Sequence, residues 1–560
     1  MSDVGPSAEG ISETVAAPPA VAPSPRTRLT KDSVRAFVRR EVRALASTRN
    51  LCVYAVVLLI CRAWSDLYVR LSYEAHGPIV NDTPIFAAIG RGILNHVPLY
   101  SGLFETKPPV IFLIFALSIA LTHSWRLATA LQILAFVALM VTPLVLVVRD
   151  RKHLGRVGWR LVAAGLGGAV IVLYAADRGG ELEVEPYGAA LLLPWLWLWC
   201  RAPSRAARAL STREARARVL LGGASLACAC LTKEPFLLSA IAIALINVRT
   251  RAHVYELIRM GVTSGVFAAL VLLLCGAFTS YFRIYLPEMF LHQAFAVDAD
   301  ALGPSKMLDK AFDWGRLHDA TDFAPAAGFA FAGAAMAAMQ EQRATEDGWM
   351  PVVTRWGLAV VLSSLAIGVS GRFYAHHFVF MVPWVLAVLA TWLLTDEVSD
   401  ASPVPRRFAS ALAVLAIAVV TLIHDRPDLR QKLSDMKHGE EQGIAAARAV
   451  DAAATCMGEE RYVSLSKNGL QPWGWTTHSP VGPFFFQYDF WFDHTQTAHR
   501  EQLLKQLTQS RLLVLTGYST GEFDGILRAK VEARFKPGLP PKCAYIKIAE
   551  PWSFRWAPGP

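Results

Sequence analysis

The sequence predicts a polytopic α-helical membrane protein: about eleven transmembrane helices, further helices along the outer membrane face, and a small C-terminal α/β domain. Composition is the first ground: hydrophobic residues fill 54% of 560 positions, charged residues 18%, and the mean hydropathy is +0.35. The second is distribution, since apolar residues come in long blocks rather than amphipathic stripes, and a hydrocarbon core about 30 Å thick takes roughly 20 such residues per helix. The third is charge. Basic residues gather in short clusters between the blocks, as the positive-inside rule requires of cytoplasmic loops. That placement accounts for the net charge of +10 and points away from nucleic acid as a partner.

Residues 1–25 are rich in Pro, Ala and Ser and lack an apolar core, the composition of a disordered leader. Arg26, Arg28, Lys31, Arg35, Arg39, Arg40, Arg43 and Arg49 follow and hold this end in the cytoplasm. The first apolar block opens near Leu51, too far along for an ordinary cleaved signal peptide. Residues 1–50 therefore read as a disordered, basic cytoplasmic N-terminus, 51–423 as the membrane domain and 424–560 as the extracytoplasmic α/β domain. The expected crossings are 51–69, 126–148, 159–176, 187–200, 217–232, 235–248, 260–278, 324–340, 355–371, 376–394 and 407–423. Basic loops at 149–160, 201–218 and 249–259 fall inside; 70–125, 177–186, 279–323, 372–375 and the tail fall outside. This alternation requires that 109–123, short and opened by a proline pair, lie along or dip into the outer leaflet without crossing. In the tail, the runs RYVSLS and RLLVLTGY read as strands, separated by a charged helical stretch at His499–Ser510. Six of the eight cysteines sit in or beside apolar blocks as small hydrophobes. Cys456 and Cys543, in the tail, can pair if it faces an oxidising compartment.

Charges beside a bilayer are costly and mark functional sites when they persist. The first outer loop carries Asp82, set before Thr-Pro where it can also cap a helix. It also carries Glu105 and Lys107 before the apolar run, where an interfacial salt bridge with a snorkelling lysine is the plain alternative. The second outer loop places Glu181, Glu183 and Glu185 at alternate positions, where carboxylates repel unless solvent, a cation, a hydroxyl or a basic neighbour relieves them. The turn LTKEP adds Lys233 and Glu234, and SGRFYAHHFVFMVP adds Arg372, Tyr374, His376 and His377. Arg and Lys of this kind hold phosphate, Arg as a fork and Lys as a point charge. The argument rests on their convergence at one membrane face.

In order and rough spacing over residues 50–395, these motifs resemble the GT-C class of membrane glycosyltransferases, in particular bacterial relatives of protein O-mannosyltransferase and lipid A aminoarabinose transferase. The matching positions are Asp82, Pro98-Leu99-Tyr100, Lys107-Pro108-Pro109, Glu181 to Glu185, Thr232-Lys233-Glu234-Pro235, and Arg372 through His377 with Pro383. Departures are Asn81-Asp82 for an acidic pair, Thr106 between Glu105 and Lys107, and His377 where tyrosine is frequent. The resemblance implies a polyprenyl-phosphate sugar donor, reaction at the outer face of a bacterial inner membrane, and an acceptor that is a protein, a lipid or an envelope glycan. It implies Asp82 as the base that deprotonates the acceptor hydroxyl, with Lys107 and Arg372 stabilising the departing phosphate. Glu183 or Glu185 would orient acceptor or sugar, or help bind a divalent cation, and Lys233, Tyr374 and His376 would hold the donor head group. Two rival classes are a secondary transporter, which would show internal repeats, and a non-catalytic scaffold that binds envelope glycan through its tail.

Overall fold

The computed structural model describes residues 82–150, 158–178, 184–200, 212–290, 350–369, 375–394, 429–465, 472–485, 497–515, 523–548 and 552–558, with a few positions near 334–338 and Glu550. The expected crossings 51–69 and 407–423, most of 324–340, and the boundary at 423/424 lie outside them.

The chain enters through α1 (Thr83–Leu94), whose apolar residues Ile85, Phe86 and Ile89 are buried against α2 (Pro109–Thr122). Phe86 meets Phe112 and Phe115 at centroid distances of 6.0 and 5.7 Å. The two helices cross closely at Gly90, where a Cβ would stand 2.8 Å from the Ala116 nitrogen, so only glycine fits. Next come α3 (Arg126–Asp150) and α4 (Gly158–Arg178), close to their expected bounds.

The expected crossing at 187–200 is corrected. It is two short helices, α5 (Glu185–Leu191) and α6 (Leu193–Trp199), separated at Leu192. Pro194 has no N–H to continue the ladder and crowds the preceding turn. The pair α7 (Thr212–Cys230) and α8 (Phe236–Asn247) is joined by the LTKEP turn. The second correction is at α9 (Arg251–Leu274), which takes in most of the segment 249–259 expected to be a loop. Thr250 caps it, its side chain accepting from the His253 N–H, so the basic residues form the first turns of the helix. A short helix at Phe278–Ser280 and a π-helical turn at Tyr281–Tyr285 follow. After them come α10 (Val352–Gly368), a 3₁₀ stretch at Ala375–Phe380 where the sequence suggested the start of a crossing, and α11 (Val382–Leu394).

Among the described residues, Arg126–Arg149 and Arg251–Leu274 are long and apolar enough to cross a membrane, and six further apolar helical stretches are shorter. The eleven expected crossings are thus not all represented there. On α9 the apolar side chains Val262, Val266, Leu270 and Leu273 face outward, an arrangement suited to lipid rather than water.

The tail opens with α12 (Leu429–Met457) and builds a five-stranded sheet from β1 (Arg461–Leu465), β2 (Ser479–Pro480), β3 (Leu512–Leu515), β4 (Lys536–Pro537) and β5 (Ser553–Trp556), in the order β2-β1-β3-β5-β4. β1 runs parallel to both neighbours, while β5 runs antiparallel to β3 and β4. The connections include α13 (Thr497–Gln506) and α14 (Phe523–Arg534). Leu512 to Leu515 are all buried, as expected of a central strand covered on both faces. Cys456, at the end of α12, forms a disulfide with Cys543.

The sheet domain sits on α1 and the loop that follows it. Asn95 Nδ2 donates to Ser479 Oγ at 3.1 Å and to the Thr477 carbonyl at 3.3 Å. Trp125 and Trp475 meet edge to face, and the Phe104 N–H donates to the Pro483 carbonyl at 3.2 Å. Further along, His499 Nε2 lies 2.9 Å from Glu288 Oε1.

Candidate active site

Asp82 immediately precedes α1, but its side chain makes no capping bond to that helix. Instead Asp82 Oδ2 lies 3.2 Å from Lys107 Nζ, and Glu105 Oε1 lies 3.7 Å from the same nitrogen. One ammonium is shared between two carboxylates. Nor does Lys107 snorkel away from the protein, since its side chain is 15% exposed.

The loop geometry that produces this is tight. Tyr100, fully buried, adopts a left-handed conformation with φ of 69°, costly for a residue with a bulky side chain. It is held there by its N–H donating to the Leu103 carbonyl at 2.8 Å and its hydroxyl donating to the Lys107 carbonyl at 3.1 Å. Pro108 and Pro109 then start α2 where their missing N–H groups cost nothing.

Glu105 is the more deeply placed of the two acids, 1% exposed against 20% for the Asp82 side chain. Its Oε1 accepts from Thr106 Oγ1 at 3.0 Å, and its Oε2 is buried with no hydrogen bond among the described residues. Burial pushes its carboxyl up to about 7, aided by the neighbouring Asp82 charge and opposed by Lys107 and Thr106. The two acids are thereby differentiated: one exposed enough to meet a substrate, the other poised between protonation states near neutrality.

A second pair adjoins the first. Lys233 Nζ bonds Glu185 Oε1, and Glu185 is fully buried at the first turn of α5. The Lys233 ammonium also stands 5.6 Å from the centre of the Phe380 ring, within cation–π range. Phe380 is fixed by an edge contact with Phe236 and by Ser239 Oγ donating to its carbonyl at 2.7 Å. The segments bearing the two lysines are tied by the Val110 N–H donating to the Leu231 carbonyl at 3.0 Å.

The structure thus brings Asp82, Glu105 and Lys107 into one group and Glu185 with Lys233 into its neighbour. His377 is buried with its ring tilted against Phe380, beside the second group. His376 is described in its backbone alone, and Glu181, Glu183, Arg372 and Tyr374 lie outside the described residues. Among the described residues, no three His, Cys, Asp or Glu side chains gather as a metal site would require. Between Asp82 and Glu105, the position a cation would take is held by the Lys107 ammonium.

Two contributors escape a reading of the sequence. Glu234 is singled out there only as the neighbour of Lys233, and Tyr285 lies in a stretch read as outer loop. In the structure the Tyr285 hydroxyl donates to Glu234 Oε1; Tyr285 is buried and Glu234 part-buried. The available signal is the acid in LTKEP, a charge between two apolar helices that must find a partner.

No protein-family model matches the chain, and no curated protein matches it. Among solved structures, it is similar to ArnT from Cupriavidus metallidurans bound to undecaprenyl phosphate, at 14% identity and a TM-score of 0.49, over 89% of this chain and 97% of that one. The apo state of the same protein gives 15% and 0.46 over the same shares. The Archaeoglobus fulgidus oligosaccharyltransferase in complex with zinc and sulfate gives 14% and 0.43, over 82% of this chain and 67% of that one. The identity is low throughout these likenesses.

Proposed function

We propose that the protein is an inverting glycosyltransferase that moves a sugar from a polyprenyl-phosphate donor to an acceptor hydroxyl on a protein, a lipid or an envelope glycan. The observation that carries this reading is the ammonium of Lys107 shared by Asp82 and Glu105 beside a second buried lysine–glutamate pair. A phosphate oxygen arriving at Lys107 competes with both carboxylates for that cation. Asp82, the more exposed acid, is then released to accept the proton of the incoming hydroxyl. The acceptor oxygen bonds to the anomeric carbon as the bond from that carbon to the phosphate oxygen breaks, and polyprenyl phosphate leaves with the electron pair. Polyprenyl phosphate is a good leaving group, so no second acid is needed at the departing oxygen, unlike soluble glycosidases. Lys107 and Lys233, with Arg372, supply the positive field against which the phosphate charge develops. In this reading Tyr374, His376 and His377 would serve the donor head group, and Glu181, Glu183 and Glu185 would orient sugar or acceptor or help bind a divalent cation.

The reaction belongs at the outer face of a bacterial inner membrane, with the N-terminus cytoplasmic. The basic N-terminal cluster supports this orientation, and so does the Cys456–Cys543 disulfide in the tail, since such bonds persist in oxidising compartments. The test is transfer of label from a radiolabelled polyprenyl-phosphate-sugar pool in membranes holding wild type or Asp82→Asn. Label should enter a lipid, protein or glycan fraction with wild type alone. Equal transfer by a folded Asp82→Asn variant refutes Asp82 as the base, and no transfer by wild type from any donor refutes the class.

A further inference from the structure

The LTKEP turn holds an acid that the proposed chemistry does not use. Glu234 is part-buried, and the groups facing it come from four places: Lys233 on its own turn, Cys230 at the end of α7, Lys107 and Tyr100 from the first outer loop, and Tyr281 and Tyr285 from the π-helical turn. Tyr285 donates its hydroxyl to Glu234 Oε1. Its ring stacks on Tyr281 at 4.7 Å with 22° between planes, and lies 4.9 Å from the ring of Tyr100. Tyr100 in turn donates to the carbonyl of Lys107. Ser280 Oγ donates to the Leu99 carbonyl at 2.9 Å, clamping the same loop to the same segment. A continuous path of contacts therefore runs from the backbone neighbour of Lys233 to the backbone of Lys107. It passes through a π-helical turn, a distortion that is rare and concentrated at functional sites.

We infer that Glu234, held by Tyr285, is a positioning residue that fixes the spacing of the Lys107 and Lys233 ammoniums and so shapes the site for a lipid-linked phosphate. The inference rests on the donor reading above. In this role Glu234 and Tyr285 each act through the loop that carries a lysine. Burial holds the Glu234 carboxyl above the ordinary carboxylate range, so it gains its negative charge later in a pH titration than a surface glutamate. That added charge beside a phosphate site weakens anion binding as pH rises through its ionisation.

The experiment uses the full-length protein in nanodiscs, as wild type, Tyr285→Phe and Glu234→Gln, each required to melt within about 3 °C of wild type. Undecaprenyl phosphate is the binding probe, titrated between pH 5.5 and 8.5. In parallel, acylation of Lys107 and Lys233 by an amine reagent is followed by mass spectrometry, with Lys505 of α13 as the remote control. Tyr285→Phe keeps the ring and loses the hydroxyl, and should weaken probe binding about tenfold, the scale of one lost hydrogen bond. It should change the Lys107 labelling rate severalfold while Lys505 is unchanged. Glu234→Gln should flatten the fall in affinity with rising pH relative to wild type, which a merely structural role would not do. Unchanged lysine labelling in both variants overturns the inference, whatever the lipid does. Wild type that fails to bind the probe, with labelling altered as expected, overturns the donor reading and leaves the positioning role standing.

Discussion

Replacing Glu105 by Gln tests the electrostatics of the shared-lysine arrangement without removing a hydrogen-bonding side chain. The buried Glu105 carboxyl is raised from 4.5 to about 7. An acid whose pKa is raised in the folded state is easier to bury neutral than charged. Its burden on stability is therefore absent below the unfolded value, grows as pH rises through 4.5, and is complete above about 7. A shift of about 2.5 units at 1.36 kcal/mol per unit sets an upper figure of about 3 kcal/mol lost over that window. With Glu105 1% exposed, solvent screening does little to reduce it. Glutamine carries no such burden, so the pH dependence from this position should vanish. Thermal unfolding of the detergent-solubilised protein, followed by intrinsic tryptophan fluorescence from pH 5 to 8, reads the difference. Wild type should lose melting temperature towards pH 8, and Glu105→Gln should be flatter, crossing above wild type at the alkaline end. Parallel curves for the two proteins would refute the claim that Glu105 is neutral at moderate pH and charged only at cost.

Other substitutions probe separate parts of the structure. Glu185→Gln leaves the Lys233 ammonium without its carboxylate, and loss of one member of a buried pair costs about 3–5 kcal/mol, so the melting temperature should fall and transfer activity with it; a variant as stable and active as wild type would disprove the pair's importance. Gly188→Ala places a Cβ 2.1 Å from Phe236, and the displaced ring should disturb the edge contact it makes with Phe380; a loss of about 1–3 kcal/mol in a melting experiment is expected. Cys456→Ser opens a loop spanning 87 residues and should destabilise the tail domain by about 2–5 kcal/mol. Limited proteolysis should then cleave the tail of the variant but not of the wild type.

How far the sequence speaks can be judged from particular residues. Asp82 and Lys107 are legible because charges flanking apolar runs are few and must be neutralised, and the structure pairs them. The helices α3 and α4 follow from hydropathy alone. The failures have physical causes too. At α9, net charge marks 249–259 as a loop, although Thr250 is a good cap and Arg, His and Tyr are compatible with a helix emerging from the bilayer. At 187–200 the hydropathy is continuous and hides the break that Pro194 imposes. The partnership of Glu234 with Tyr285 spans 51 residues, and no local pattern encodes it. The seating of the sheet domain on α1 depends on two surfaces being complementary, and periodicity carries no record of that.

The contact between the sheet domain and the first outer loop bears on the order in which the protein is made. Asn95 and the Thr477 carbonyl are separated by 382 residues, and the partner of Phe104 is Pro483. A ribosome delivering about 5–20 residues per second needs some tens of seconds to travel from one to the other. During that interval Asp82, Glu105 and Lys107 have left the ribosome without the surface that later covers their loop. The chemistry-bearing loop is among the first parts synthesised and among the last to be completed, so a chain interrupted before the strand at Ser479–Pro480 carries every charged group of the described site and yet lacks its outer wall.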